Sequence, residues 1–197
     1  MPLRDDAEGW GWPSRLLHWV MAALMTGLLI LGLVAANVVD DLQTRFELTQ
    51  WHKSFGVVVF ALALVRLGWR AANRTRPAPP PGPEWERRAA RAGHAAFYAL
   101  MLLLPLSGWL MASASPLQDM FGLTDTVFGL IPLPDPFVPG AEATEAAFRA
   151  VHLGAAIALA ALLALHAGAA LRHHLVLKDG VLRRMTLGRT APAAERP

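Results

Sequence analysis

Ala150–Leu171 reads AVHLGAAIALAALLALHAGAAL, without a single Asp, Glu, Lys or Arg and with two histidines, His152 and His166. A helix rises about 1.5 Å per residue, so this stretch is long enough to cross a bilayer core of about 30 Å. Three more stretches repeat the pattern. Leu16–Val39 and Ala92–Gln118 are equally free of such charges. Ser54–Trp69 is interrupted only by Arg66, and it reaches spanning length when extended to about Thr49. The whole chain agrees. It is 54% hydrophobic and 17% charged, against about 25% charged in a soluble domain. Seven Trp against one Tyr fits a protein with residues at the membrane–water interface. The expected fold is all-α: an integral membrane four-helix bundle, up-down-up-down, forming one membrane domain over residues 1–197. The spans are expected at about 15–38, 49–70, 92–114 and 148–172, with a Pro/Arg-rich loop at 71–91 and a longer outer loop at 115–147.

The charged residues then set orientation. Fifteen of the eighteen Lys and Arg fall in the N-terminal segment, in or beside the loop after the second span, and in the tail. The two opposite loops hold Arg45 and Arg149, with Lys53 at the mouth of the second span, and eight acids including Asp41, Asp125, Asp135 and Glu145. The positive-inside rule predicts both termini in the cytoplasm. The pI near 10.2 is therefore a topology signal, and nucleic acid is not an expected partner. The first span is expected to be retained, because Pro2–Glu8 carries Asp5, Asp6 and Glu8 where a signal peptide has a basic segment. With no Cys, iron–sulfur clusters, thiolate zinc sites and Cys nucleophiles are excluded. The run from Arg76 to Pro83 is too rich in proline to be helical, Glu84–Arg91 should restart a helix, and a short helix is expected near Leu117–Phe121. Pro105 should kink the third span.

Histidine is the residue type that speaks to function. Every span carries one, and ionisable residues inside a membrane are functional candidates by default. His18 and His166 match in depth near the inner edge, and His52 and His152 match near the outer edge. On the fourth span, His152 and His166 are separated by about 21 Å along the axis, and they fall within about 40° of one helix face. One helix thus offers an imidazole to each of two stacked sites. The spans hold no Cys or carboxylate to complete a zinc or copper site, whereas haem iron takes two axial ligands beyond its porphyrin. Gly56, Gly154, Ala155, Ala167, Gly168 and Ala170 lie near the candidates and would leave room for a flat macrocycle. Neutral structural histidines in a haem-free channel, transporter or assembly subunit are the competing reading.

Five stretches carry a family resemblance: Arg15-Leu-Leu-His-Trp19, His52-Lys-Ser-Phe-Gly56, Arg91-Ala-Gly-His94, Leu104-Pro-Leu-Ser-Gly-Trp109 and Leu165–His174. With the following Lys178-Asp-Gly-Val-Leu-Arg-Arg-Met185, they resemble the bacterial cytochrome b561 family, in order, from about Pro13 to Met185. The resemblance implies a four-span protein of the bacterial inner membrane that binds two b-type haems and transfers electrons. It places the axial ligands on His18, His52, His152 and His166, the same four that depth matching selects. Arg15 and Lys53, each beside a ligand, are candidates to contact haem propionates. His94, with His173 and His174, clusters at the inner rim, and His94 is the candidate quinone and proton site. The expected activity is electron transfer between the quinone pool and a donor or acceptor at the outer face, with quinone as substrate and a periplasmic redox protein as partner. Membrane lipid surrounds the chain, and a homodimer is compatible with the sequence. Superoxide oxidation is the alternative within the family, but an anionic substrate wants positive potential and the outer loops are acidic.

Overall fold

The computed structural model describes residues 2–75, 77–79, 82–122, 124–137 and 139–188. Four long helices dominate: α1 Trp12–Asn37, α2 Leu42–Ala72, α3 Glu84–Ser113 and α5 Glu142–Arg172. Each is long and apolar enough to cross a membrane, and α5 is continued by a π-helical turn, His173–Leu177. They alternate in direction, so both described chain ends and the described residues of the 73–83 linker lie at one end of the bundle, here the terminal end. The α1–α2 turn and the described residues of 114–141 form the opposite, loop end. This bundle is the expected fold, with helices that extend past the apolar stretches into charged first and last turns.

Local chemistry explains those boundaries. Pro13 occupies the first turn of α1, where its missing N–H costs no hydrogen bond. Asp41 caps α2 by accepting from the Thr44 N–H at 2.7 Å, which holds its carboxyl below the usual carboxylate range. Glu84 and Glu86 sit in the first turn of α3, where the helix dipole favours acids. Pro105 lies within α3, which runs through it to Ser113. The short helix expected in the outer loop is α4, Pro116–Phe121, closed by Gly122 at φ 59°. Beyond it a two-residue hairpin pairs Thr126 with Pro132 and Val127 with Ile131. Of the Pro-rich run, Arg76, Pro80 and Pro81 lie outside the described residues, while Ala78 is held to the terminal end by its N–H on the Ala7 carbonyl. A last short helix, α6 Val181–Thr186, folds back against α1.

The most extensive helix contacts are α3 with α5, α1 with α2, and α2 with α3. The α5 backbone stands off from α1 and α2, and side chains meet across that gap. A repeat of seven residues organises those side chains into three layers, each step about 10.5 Å along a helix. The terminal-end layer holds His18, Arg66, His94 and His166, one from each long helix. The middle layer holds Met25, Val59, Met101 and Leu159, all part of the buried core with Met21, Ala63 and Phe97. The loop-end layer holds Gly32, His52, Gly108 and His152. Leu64, Val65 and Leu165 are exposed and line neither imidazole layer, as lipid-facing side chains should be. Exposed Trp12, Trp19 and Trp85 mark the terminal end and Trp51 the loop end, as expected of interfacial belts.

Candidate functional site

In the loop-end layer the His52 and His152 rings face one another with centroids 6.1 Å apart. A metal–imidazole bond is about 2.0–2.1 Å and a ring nitrogen lies about 1.1 Å from its centroid, so two imidazoles approaching one metal from opposite sides would show centroids about 6.3 Å apart. The pair already stands at that separation. Each ring also lies against a glycine. A Cβ added at Gly32 would meet His52 Cε1 at 3.0 Å, and one at Gly108 would meet His152 Cε1 at 3.1 Å. The His152 Nδ1–H donates to the Leu104 carbonyl at 3.1 Å, with Ser107 Oγ also at 3.1 Å. That bond fixes the tautomer in which Nε2 keeps its lone pair for a metal. Around the pair opens a mainly apolar cleft of about 1990 Å³, lined by Leu29, Leu33, Val57, Leu104, Leu153 and Ile157 among others.

The loop segment closes over this cleft. Lys53 pairs with Asp125, whose side chain is only 3% exposed. The Phe128 N–H donates to Ser54 Oγ at 2.8 Å, and the Phe128 ring meets Phe55 and Trp51 edge-on. Phe128 takes φ 52°, a left-handed conformation that costs of order 1 kcal/mol or more outside glycine. The ring contacts and the hydrogen bond are each worth about 1 kcal/mol and offset it. Burial and the neighbouring Asp125 push the Asp135 carboxyl above the usual range.

The terminal-end layer is built differently. His18 and His166 face one another, also with centroids 6.1 Å apart. His94 approaches His166 to 5.9 Å, and Phe97 approaches it to 5.3 Å. Arg66 Nη2 lies 3.4 Å from His18 Nδ1, while its guanidinium and that of Arg70 lie over the Tyr98 ring. Among the described residues no glycine faces a ring of this layer. His94 is exposed, at the depth of His18 and His166.

The four histidines matched by depth thus come together in two pairs, with His94 beside the terminal-end pair. Of the glycines named from sequence, Gly56 lines the loop-end cleft, and a Cβ at Gly56, Gly154 or Gly168 would meet nothing within 4 Å. The glycines that do face the rings, Gly32 and Gly108, lie on different helices from those rings. Gly108 lies within the Leu104–Trp109 stretch that carries the family resemblance, whereas Gly32 has no signal beyond its seven-residue spacing from Met25. Arg66 was read only as a charge, yet it reaches His18. Arg15 is buried, its Nη1 donates to the Thr186 carbonyl at 2.9 Å, and Gly188 packs on its guanidinium. Arg15 and Lys53 therefore both have protein partners where propionate contacts were expected. His173 pairs with Asp179, and His174 is exposed on the π turn.

The residues at both levels fit haem. Each level offers two facing imidazoles, and among the described residues no group of three or more His, Cys, Asp or Glu is arranged to hold a bare metal ion. At the loop end the glycine walls and the cleft leave space for a flat ring, and His52 Nδ1 is buried without a hydrogen-bond partner among the described residues. The fold and these imidazole pairs define a haem-binding helical membrane protein. Residues 9–188 match the family described as prokaryotic cytochrome b561. The chain is 32% identical to the Escherichia coli (strain K12) protein "Cytochrome b561 homolog 2", covering 97% of both chains. It is also 32% identical to "Cytochrome b561 homolog 1" of the same organism, over 72% of this chain and 76% of that one. The chain belongs to the prokaryotic cytochrome b561 family. Membership makes it a multi-pass bacterial membrane protein of b-type haem electron transfer.

Proposed function

We propose that this chain binds two b-type haems, one held by His52 and His152 and the other by His18 and His166, and links the quinone pool to a redox partner at the periplasmic face of the inner membrane. The observation that carries the reading is the pair of 6.1 Å imidazole contacts, repeated two layers apart on one bundle. Haem held by these imidazoles would supply reversible one-electron acceptance, and with a histidine on each side it would be suited to electron transfer rather than oxygen binding. The rest is the work of the protein. Leu104 holds the His152 tautomer, Gly32 and Gly108 keep the ring faces clear, and Met25, Val59, Met101 and Leu159 keep water out between the levels.

Both termini lie in the cytoplasm in this reading, so the terminal-end layer is the inner one. A lipid-soluble quinone can reach a site one turn below the membrane surface. His94, exposed beside His166, is placed to move a proton to or from quinone at its imidazole nitrogen, with Arg91 one turn away. At the periplasmic end the few cations are already engaged: Lys53 with Asp125, Arg149 with Glu145, and Arg45 with the Val39 carbonyl. An acidic rim with its cations paired suits a docking protein better than superoxide. The test is a pyridine haemochrome assay with oxidised and reduced spectra of the purified protein. Two non-covalent haems b per chain are expected, and one or none in fully loaded protein would overturn the di-haem reading.

A further inference from the structure

The stretch Lys178–Met185 takes no part in either imidazole pair, yet it is held in a defined shape. The π turn ends at Lys178 in a left-handed conformation, φ 52°, and Gly180 takes φ 79° two residues later. Asp179 ties the turn down, pairing with His173 and accepting from the Val181 N–H at 3.1 Å. The reversal leaves a small pocket of about 210 Å³ lined by His174, Lys178, Gly180 and Arg183. Three of its four residues are basic.

Their neighbours show that this is selective. Arg172 pairs with Glu86, His173 with Asp179, and Arg184 donates to the Ala78 carbonyl. The Trp19 Nε1–H donates to the Met185 carbonyl, and Arg15 to that of Thr186, so the helix bearing Arg183 is anchored on α1. Only the cations facing the pocket, Lys178 and Arg183, lack a partner among the described residues of this segment. A left-handed lysine costs conformational energy, and it persists here at a pocket that Lys178 and Arg183 both line. Leu175, Val176 and Leu177 are exposed immediately before the pocket, 63%, 71% and 41% respectively. A convergent cationic pocket at a membrane–water boundary, flanked by an apolar strip, matches a phosphate attached to acyl chains.

We infer that His174, Lys178 and Arg183 form a binding site for the phosphate of an anionic membrane phospholipid at the terminal end. The ammonium and guanidinium hold the phosphate oxygens, and the lipid chains run along Leu175 and Val176. Free phosphate shares the headgroup chemistry but gains nothing from the apolar strip.

The test uses delipidated, haem-loaded full-length protein in native mass spectrometry, titrated with phosphatidylglycerol, with phosphatidylcholine of the same chains, and with inorganic phosphate. Wild type should take up one phosphatidylglycerol in preference to phosphatidylcholine. Lys178→Gln with Arg183→Gln should weaken that binding by about thirtyfold, from roughly a factor of five or six per cation near a membrane surface. Lys178→Arg with Arg183→Lys should retain the preference, and Arg149→Gln at the opposite end should leave it unchanged. An intact haem spectrum shows that each variant is folded. Equal uptake of the two lipids by wild type, or an undiminished preference in the double Gln variant, would overturn the inference. So would inorganic phosphate binding as tightly as phosphatidylglycerol, which would reassign the site to a soluble anion.

Discussion

The two imidazole pairs share one centroid distance and differ in nearly everything around it. At the loop end both rings lie on glycine, His152 is oriented by a backbone carbonyl, and a large cleft surrounds them. At the terminal end the positions equivalent to Gly32 and Gly108, two heptads along α1 and α3, carry His18 and His94. Arg66 occupies the position on α2 that His52 holds at the other end. One level has two imidazoles and two glycine gaps; the other has three imidazoles and a guanidinium. The loop-end site is shaped to receive a flat ring as it stands. The terminal-end pair is flanked instead by His94, Phe97 and Arg66.

The largest effects should come from the ligands. His52→Ala or His152→Ala should remove the loop-end haem and spare the other, lowering the haemochrome yield by roughly half. His18→Ala or His166→Ala should do the reverse. Should His94→Ala cost a haem while His18→Ala leaves both, the terminal-end pair would be His94 with His166, which the 5.9 Å contact makes the one rival arrangement.

Glycine substitutions separate the two levels more finely. Gly32→Leu drives a side chain into the His52 ring and should release the loop-end haem about as completely as His52→Ala, since a packed interior yields little to added volume. Gly168→Ala, two residues from His166 but with nothing within 4 Å, should leave both haems and their spectra unchanged. Equal tolerance at the two positions would dissolve the contrast between a shaped and an unshaped site.

Arg66→Gln probes the terminal end alone. A cation beside His18 favours the reduced, less positive iron, so removing it should lower that haem's midpoint potential by roughly 50–100 mV in a medium of effective dielectric about 20. Redox titration should show the loop-end haem unmoved. The smallest effect belongs to His94→Gln, which should slow quinol-driven haem reduction by about tenfold with both haems spectrally intact, because water at an exposed rim can partly replace a proton relay. An unchanged rate between about pH 6 and 8, where an ordinary imidazole titrates, would move the quinone site away from this layer.

Much of this was legible in the sequence, for physical reasons that also mark where legibility ended. Charge-free stretches of bilayer length report spans because lipid tolerates so few charges. His152 and His166 report two stacked levels because helical geometry puts nearly four turns between them and returns them to one face. Both signals lie within one helix. Gly32 and Gly108 act across helices, and no local rule says which ring a glycine will face. Gly56 and Gly154, the small residues nearest in sequence, face open space. Arg66 was misjudged because a charge near the end of a span is ordinarily a topology marker, whereas the α2 register carries it inward to His18. The partner of Arg15 is hidden for the opposite reason: the carbonyl that its Nη1 reaches belongs to Thr186, far away in the chain.

The seven-residue layering also limits how this chain can change length. One codon gained or lost between His152 and His166 would swing one imidazole about 100° from its partner and shift it about 1.5 Å. No rotamer recovers that. Two whole turns could be inserted with the face nearly kept, but only if the other three helices gained the same two turns. Substitution can therefore explore the middle layer freely, trading Met25 or Leu159 for side chains of like volume, while single insertions and deletions should be confined to the linker and the loops. Among descendants of such a chain, the interval between the two histidines of α5 should outlast almost every residue within it.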